Sequence, residues 1–360
     1  MRSGERRADT HWDPQELATV KFRGGDPYAY FHVMRSKGNK VIHKSIDVLM
    51  PIYNAERHLE VAVRSIMQQT MSDFQIICVN DGSTDGSADI LARLSGEDAR
   101  VTVISQQNKG LVGALNRGLA ACTAPFVARM DADDIAMPDR FEKQVAFLID
   151  NPKILAVGSS VLEIDSDDEP LGVEQFGIKH QEIEDGMMRM KTAIAHPAAM
   201  IRRAVFNRLG GYRPEFEFVE DLDLWFRIAE IGELANLPDV LLCYRQHASV
   251  SWQLGRIRRR RILDLLTQAY QRRGRSVPQY LIKRCEATRS PAGPHKWARK
   301  ASRNGQWRVA NKHLRQLWVA SPVSLLTWRM TLETLFFSAT SQITQPSQVL
   351  PLVPAIKRVA

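Results

Sequence analysis

Between residues 46 and 131, short apolar runs alternate with helical patterns, and this alternation constrains the fold more than any single motif. Ile46-Asp-Val-Leu-Met50, Gln75-Ile-Ile-Cys-Val-Asn80, Val101-Thr-Val-Ile104 and Pro125-Phe-Val-Ala128 read as strands. Leu59, Ala62, Val63, Ile66 and Met67 share one helical face after the first run, with Asn54 expected to cap that helix. A second helix follows the second run, and a third passes through Ala114-Leu-Asn116. Strands alternating with helices predict βαβ units, a parallel sheet and right-handed crossovers. Ligands of such sheets bind at the carboxyl edge. Tyr53, Asp81 and Asp131 stand at successive carboxyl ends, so three loops remote in sequence are expected to converge on one cleft.

The last of these loops, Met130-Asp131-Ala-Asp133-Asp134, carries three carboxylates within four residues. Like charges crowded at a strand end are costly unless a cation neutralises them, and an oxygen-rich site suits Mg²⁺ or Mn²⁺. The same residues also read as a solvated acidic turn capping a helix that begins near Pro138. Asp81-Gly82-Ser83 offers a carboxylate to a base N–H and a glycine that permits close approach of a ligand, or is an ordinary polar turn. Lys109, in Asn108-Lys-Gly110, can neutralise a diphosphate or simply be solvated. Glu220-Asp221 opens a strong helical pattern through Leu222, Leu224, Trp225, Ile228 and Ala229. Carboxylates there serve the helix dipole, or Asp221 serves as a general base. His196-Pro197 and Tyr244-Arg-Gln-His247 read by default as a structural histidine and a polar segment.

The charge of the chain is divided. Residues 256–360 contain 21 Lys and Arg against 3 Asp and Glu, a net of +18; the whole chain has 49 and 40, which leaves 28 and 37, a net of −9, for residues 1–255. The basic part either meets an anionic partner, such as lipid, or is a set of solvated helix faces. Nucleic acid is not expected, because no reading motif accompanies the charge. Cys78, Cys122, Cys243 and Cys285 form no CxxC pair and read as reduced thiols of a cytoplasmic protein. Residues 1–44 read as a loosely packed extension without a secretory signal. The uncharged run from Thr334 to Ile356 is too polar and too broken by proline to span a bilayer.

Beyond Pro152 a strand pair is expected to turn at Asp165-Ser-Asp-Asp-Glu-Pro170, and strand-like Ala198-Ala-Met-Ile201 precedes a helix from Arg203 to Leu209. From Gln253 the chain reads as helical. Ala298, Ala301, Gly305, Trp307, Ala310, Leu314, Leu317 and Pro322 resemble one tetratricopeptide-like hairpin, without a repeat array.

Taken together, Leu49-Met-Pro-Ile-Tyr-Asn54, Val79-Asn-Asp-Gly-Ser-Thr-Asp85, Asn108-Lys-Gly110, Met130-Asp-Ala-Asp-Asp134, His196-Pro197, Glu220-Asp-Leu-Asp-Leu-Trp225 and Tyr244-Arg-Gln-His247 resemble, in order, a family 2 glycosyltransferase of the GT-A fold. The resemblance covers roughly residues 46 to 250. It implies an α/β Rossmann-like, mainly parallel sheet over residues 45–253, with a nucleotide-binding half (45–150) and an acceptor half (151–253). A mostly helical region follows over 254–360. It implies an inverting, hexosyltransferase-type transfer from a nucleoside-diphosphate donor, a UDP-sugar, to a glycan or lipid-linked hydroxyl. Pro51, Tyr53, Asn54, Glu56, Asp81, Gly82, Ser83, Lys109 and Asp131 would bind the donor. Asp131 and Asp133, with His247 beside them, would hold Mg²⁺ or Mn²⁺, Asp134 leaving the choice of ligand open. Asp221 would be the base, and Glu220 would support it or the acceptor. The setting implied is bacterial cell-surface glycan assembly, in the cytoplasm or at the inner face of the membrane, with the basic region against anionic lipid. Two other readings remain: a sugar-nucleotide pyrophosphorylase, which would need a Gly-rich, Arg-containing loop where Met50-Pro-Ile-Tyr-Asn54 has no glycine, and a non-catalytic binding scaffold, which would have lost the carboxylates.

Overall fold

A computed structural model describes residues 45–247, 252–287, 293–320 and 322–341, so the extension expected over residues 1–44 lies outside the described residues. One nine-stranded sheet organises the molecule. Its strands are β1 (Ile46–Ile52), β2 (Phe74–Asp81), β3 (Val101–Gln106), β4 (Phe126–Arg129), β5 (Ile135–Ala136), β6 (Ile154–Ile164), β7 (Pro170–Glu174), β8 (Met200–Arg202) and β9 (Glu233–Arg245). The order is β3-β2-β1-β4-β8-β6-β9-β5, with β7 paired to β6.

The pairing determines which loops meet. β2–β3, β1–β2 and β1–β4 are parallel. β8 is antiparallel to both β4 and β6, and β9 is parallel to β6. Two reversals across β8 therefore restore the sense of β4 in β6 and β9. The carboxyl ends of β1, β2, β4, β6 and β9 all face one edge, which brings residues 53–56, 81–87, 130–134, 165–169 and 245–247 together.

The helices are α1 (Leu59–Met67), α2 (Ser87–Glu97), α3 (Gly110–Leu119), α4 (Arg140–Asp150), α5 (His180–Met187), α6 (Arg203–Leu209), α7 (Glu220–Ala229), α8 (Trp252–Arg272), α9 (Gln279–Glu286), α10 (Pro294–Arg303), α11 (Trp307–Ala320) and α12 (Leu325–Ser341). Alternate residues of β1 face opposite layers. Ile46, Val48 and Met50 pack with α1 and α4 through Leu59, Val63, Phe141 and Val145, whereas Leu49 packs with α3 and α7 through Leu115, Leu224 and Trp225. Full burial of each such side chain stabilises the fold by about 1.5–3 kcal/mol. All four cysteines are buried, and burial pushes the thiols of Cys78, Cys122 and Cys243 up to about 12.

Two local expectations are corrected. Asn54 does not cap α1: it lies at φ 50°, α1 begins five residues later, and the Asn54 Oδ1 accepts the Thr84 N–H at 2.8 Å. Tyr244-Arg245, expected as a polar segment after an apolar run, continues that run as the end of β9. Past β9, α10 and α11 pack as a helical hairpin around Trp297, Ala301, Val309 and Ala310. No helix among the described residues is long and apolar enough to cross a membrane.

Candidate active site

The loops after β1 and β2 are laced to each other. Asn54 N–H donates to Ser83 Oγ (3.1 Å), Ala55 N–H to Ser87 Oγ (2.9 Å) and Glu56 N–H to Asp85 Oδ2 (3.0 Å). In return Gly86 N–H donates to Glu56 Oε2 (2.7 Å). Polar side chains thus satisfy backbone donors that a loop at a strand end would otherwise leave open. Asp81 is buried, and its Oδ1 accepts Lys109 N–H (2.9 Å) and Gln106 Nε2 (2.7 Å), which ties in the loop after β3. Gly82, at φ +73°, closes the junction: a Cβ there would stand 2.8 Å from Asn108 N. The close approach it permits is to a neighbouring loop.

Above these loops lies a cavity of about 490 Å³, lined by Pro51, Tyr53, Asn54, Ala55, Glu56, Arg57, His58, Asp85, Asp131, Ala132, Asp133 and His247. A second, of about 460 Å³, is lined by residues that include Arg129, Asp131, His196, Phe218, Glu220, Asp221, Tyr244 and Arg258. Asp131 is the only residue common to both linings.

The carboxylate loop is held from behind. Arg245, buried at the end of β9, donates its N–H to Asp134 Oδ1 (2.8 Å) and its Nε to the Asp133 carbonyl (2.7 Å). Arg140, fully buried, donates Nη2 to the Arg129 carbonyl (2.8 Å), and burial brings its guanidinium down to about 9. Oxygens of Asp131, Asp133 and Asp134 lie within 4.8 Å of one another. Burial raises the Asp134 carboxyl well above the usual range, with the charges of Asp133 and Asp131 adding to the rise. Burial also raises Asp131, against the pull of Arg129. At Asp133 burial acts in the same sense, but the hydrogen bond and charge of His247, backed by Arg245 and Arg129, outweigh it and lower the carboxyl. Such a cluster, with an unpartnered buried Asp134 Oδ2, has the hard donors and the excess negative charge that fit Mg²⁺ or Mn²⁺.

On the other side, burial and the adjacent Asp221 hold the Glu220 carboxyl at about 7, and its Oε2 has no partner. His196 is buried and kept neutral by that burial and by Arg129; its Nε2 meets Tyr212 Oη at 2.8 Å and its Nδ1 lies 3.9 Å from Glu220 Oε1. Asp221 accepts its neighbour's N–H, from Leu222, at 2.7 Å. Arg129 pairs with Asp131, is only 3% exposed, and keeps its Nε free of any acceptor.

Of the residues expected at the site, Pro51, Tyr53, Asn54, Glu56, Asp131, Asp133 and His247 border the first cavity, while Asp131, Glu220 and Asp221 border the second. Asp81, Gly82, Ser83 and Lys109 border neither. Asp81 and the Lys109 backbone brace the loops, and the Lys109 side chain is exposed. Arg129, Phe218 and Arg258 stand in none of the motifs, and Arg245, within Tyr244-Arg-Gln-His247, has no role assigned from the sequence. An arginine inside an apolar strand, as at Arg129, was the signal available; Phe218, at φ +71°, and Arg258 carry no local motif.

The chain is similar to known proteins. The sequence profile of Glycosyl transferase family 2 matches residues 47–210. The amylovoran biosynthesis glycosyltransferase AmsE of Erwinia amylovora is 36% identical over 55% of this chain and 75% of its own length. The O-antigen biosynthesis glycosyltransferase WbnJ of Escherichia coli is 32% identical over 56% of this chain and 80% of its own. The crystal structure of S. aureus TarS 1-349 in complex with UDP-GlcNAc aligns with a TM-score of 0.50 at 16% identity, covering 88% of each chain, a likeness of the GT-A fold alone. Since AmsE is matched at that identity over three-quarters of its length, the chain belongs to glycosyl transferase family 2.

Proposed function

We propose that this glycosyltransferase moves a sugar from a nucleoside-diphosphate donor, a UDP-sugar, to a hydroxyl of a glycan or lipid-linked acceptor, with inversion at the anomeric carbon. The observation that carries the reading is the shared wall: Asp131 borders a cavity ringed by the β1 loop, Asp133 and His247, and also a cavity ringed by Glu220 and Asp221. Donor on one side and acceptor on the other then meet at one carboxylate.

In this reading the acceptor hydroxyl attacks from the Glu220–Asp221 side, opposite the diphosphate, and Asp221 takes its proton. The bond from the anomeric carbon to the diphosphate oxygen breaks, and its electron pair leaves with the diphosphate. Tyr53, Asn54 and Glu56 border the nucleoside, while Asp81 acts through the loop it fixes. Lys109 enters through its backbone. Arg129 holds Asp131 and keeps an N–H free for an oxygen arriving between the cavities. Asp133 and Asp131, with His247 and Asp134 alongside, would hold Mg²⁺ or Mn²⁺, which would supply positive charge toward the leaving diphosphate. A second reading makes Glu220 the base, favoured by a carboxyl held near neutral pH.

A thermal-shift screen of UDP-, GDP- and dTDP-sugars with MnCl₂ tests the donor, since a bound ligand raises apparent stability. Stabilisation by none of them would remove the donor assignment. We take residues 45–253 as the catalytic unit and 254–360 as an appended basic region. The appended region is proposed to touch anionic lipid at the inner face of the membrane, supported by its net charge of +18 (21 − 3) and by the exposed Val319, Val323, Leu325 and Trp328. Failure to sediment with anionic vesicles at low salt refutes that contact.

A further inference from the structure

The sheet edge brings the turn after β6 (Asp165 to Glu169) beside the carboxylate loop, and the basic helices grip this turn from outside. Lys312 Nζ lies 2.6 Å from Asp165 Oδ2 and 2.7 Å from Asp167 Oδ2. His313 presents Nε2 to the same Asp165 oxygen at 3.0 Å and Nδ1 to Gln316 Oε1 at 2.9 Å. Arg308 pairs with Glu169 at 2.6 Å, and Lys300 pairs with Glu163 and Glu174 on the flanking strands at 2.7 and 2.5 Å. Leu171 of β7 is buried among Trp297, Ala301, Val309 and Ala310. Gly172 lies so close to Asn304 that a Cβ there would collide with its side chain. Asp165 and His313 are 0% and 1% exposed as side chains, so this junction is an interior.

The inner face of the same turn holds the site. The Asp165 carbonyl accepts Arg245 Nη1 (3.0 Å) and the Asp168 carboxylate accepts Arg245 Nη2 (2.6 Å). The same arginine holds the Asp133 carbonyl and Asp134. Arg57, which borders the donor-side cavity, donates to the Ser166 carbonyl and to Asp167, each at 3.0 Å. Asp165 is the hinge of the arrangement: Oδ1 fixes the turn by accepting the N–H groups of Asp167 (2.9 Å) and Glu169 (3.0 Å), while Oδ2 faces the helices.

We propose that the α10–α11 hairpin positions the donor-side carboxylate loop, through Lys312 and His313, the Asp165 turn and Arg245. Lys312, Asp165 and Arg245 are positioning residues: each acts on the loop through another group, and none reaches the reacting atoms. An appended hairpin that the family profile does not cover thereby sets how tightly a donor is held. The consequence for the donor rests on the proposed function; the consequence for the loop does not.

Amide hydrogen exchange separates the two. In Lys312→Met and Asp165→Asn (whose Oδ1 still serves the turn), exchange over residues 130–136 and 244–247 rises roughly 2- to 30-fold, the range of such couplings. Residues 46–52 stay as protected as in the wild type. The Kd of UDP with MnCl₂, by calorimetry, weakens by a similar factor. Glu333→Gln, which breaks the Arg299 pair between α10 and α12, leaves both readouts unchanged. Unchanged exchange over 130–136 in both variants overturns the proposal, as does the same loosening in Glu333→Gln. If the wild type binds none of the nucleotides, the donor reading falls, and exchange still decides this one.

Discussion

The two cavities that meet at Asp131 are built in different ways. The donor-side wall comes from two nearly continuous stretches, residues 51–58 and 131–133, with Asp85 and His247 added. The wall on the proposed acceptor side combines one nearly continuous stretch, residues 192–197, and the pair Glu220 and Asp221 with residues drawn from elsewhere between Leu111 and Arg258. A wall made of one loop is rebuilt only by changing that loop, and its neighbours depend on it through the bonds around Asn54, Glu56 and Asp81. A wall gathered from more parts of the chain changes one part at a time. On the proposed reading, the difference means that donor chemistry depends on few segments, whereas acceptor preference draws on more of the chain.

Four variants break or sharpen this contrast. The largest effect is expected from Asp221→Asn: transfer falls about 10²- to 10⁴-fold while donor affinity is kept. Near-normal turnover would hand the base role to Glu220. Next, Arg129→Lys keeps the charge and loses the planar fork, and kcat/KM falls roughly 10- to 100-fold for donor and acceptor alike. A loss confined to one substrate would show that the arginine serves only one cavity.

Glu220→Gln gives a signature in stability rather than rate. The folded-state carboxyl is raised from 4.5 to about 7, so folding is unpenalised below pH 4.5, loses stability as pH rises to about 7, and is level beyond. The variant should therefore gain about 3 kcal/mol over the wild type at pH 8 and nothing at pH 4, measured by denaturant unfolding. An equal gain at both pH values would place the cause in packing. The smallest effect belongs to Arg258→Ala, which raises acceptor KM about two- to fivefold and leaves donor KM alone. A donor effect instead would break the division between the walls.

The same contrast explains what was readable in advance. The parallel sheet and its converging loops follow from the strand and helix periods between residues 46 and 131. Asp131, Asp133, Glu220 and Asp221 sit in short motifs, so their place at the cleft was legible. Gly82 was open to a ligand-facing or an ordinary turn, and the loop after β3 packs against it; Lys109, open to a diphosphate or to solvent, lies in that loop with its side chain exposed. Glu56 points back at Gly86. The bracing role of Arg245 was not legible in Tyr244-Arg-Gln-His247, because its partners are 77 to 112 residues away, at Asp168, Asp165, Asp134 and Asp133. Within the basic region, the pairing of Lys300, Arg308 and Lys312 with the acidic hairpin of β6 and β7 was not legible, because their partners Glu174, Glu169 and Asp165 lie 126 to 147 residues away.

The buried cysteines have a practical consequence. Every thiol in the chain is enclosed, and three are pushed far from their reactive form, so a thiol-directed dye finds little to attack in the native protein. Tyr53, at 53% exposure on the rim of the first cavity, is then a position where one introduced cysteine would carry a fluorophore alone. The enzyme is in effect already a cysteine-silent background for watching that cavity fill and empty in real time.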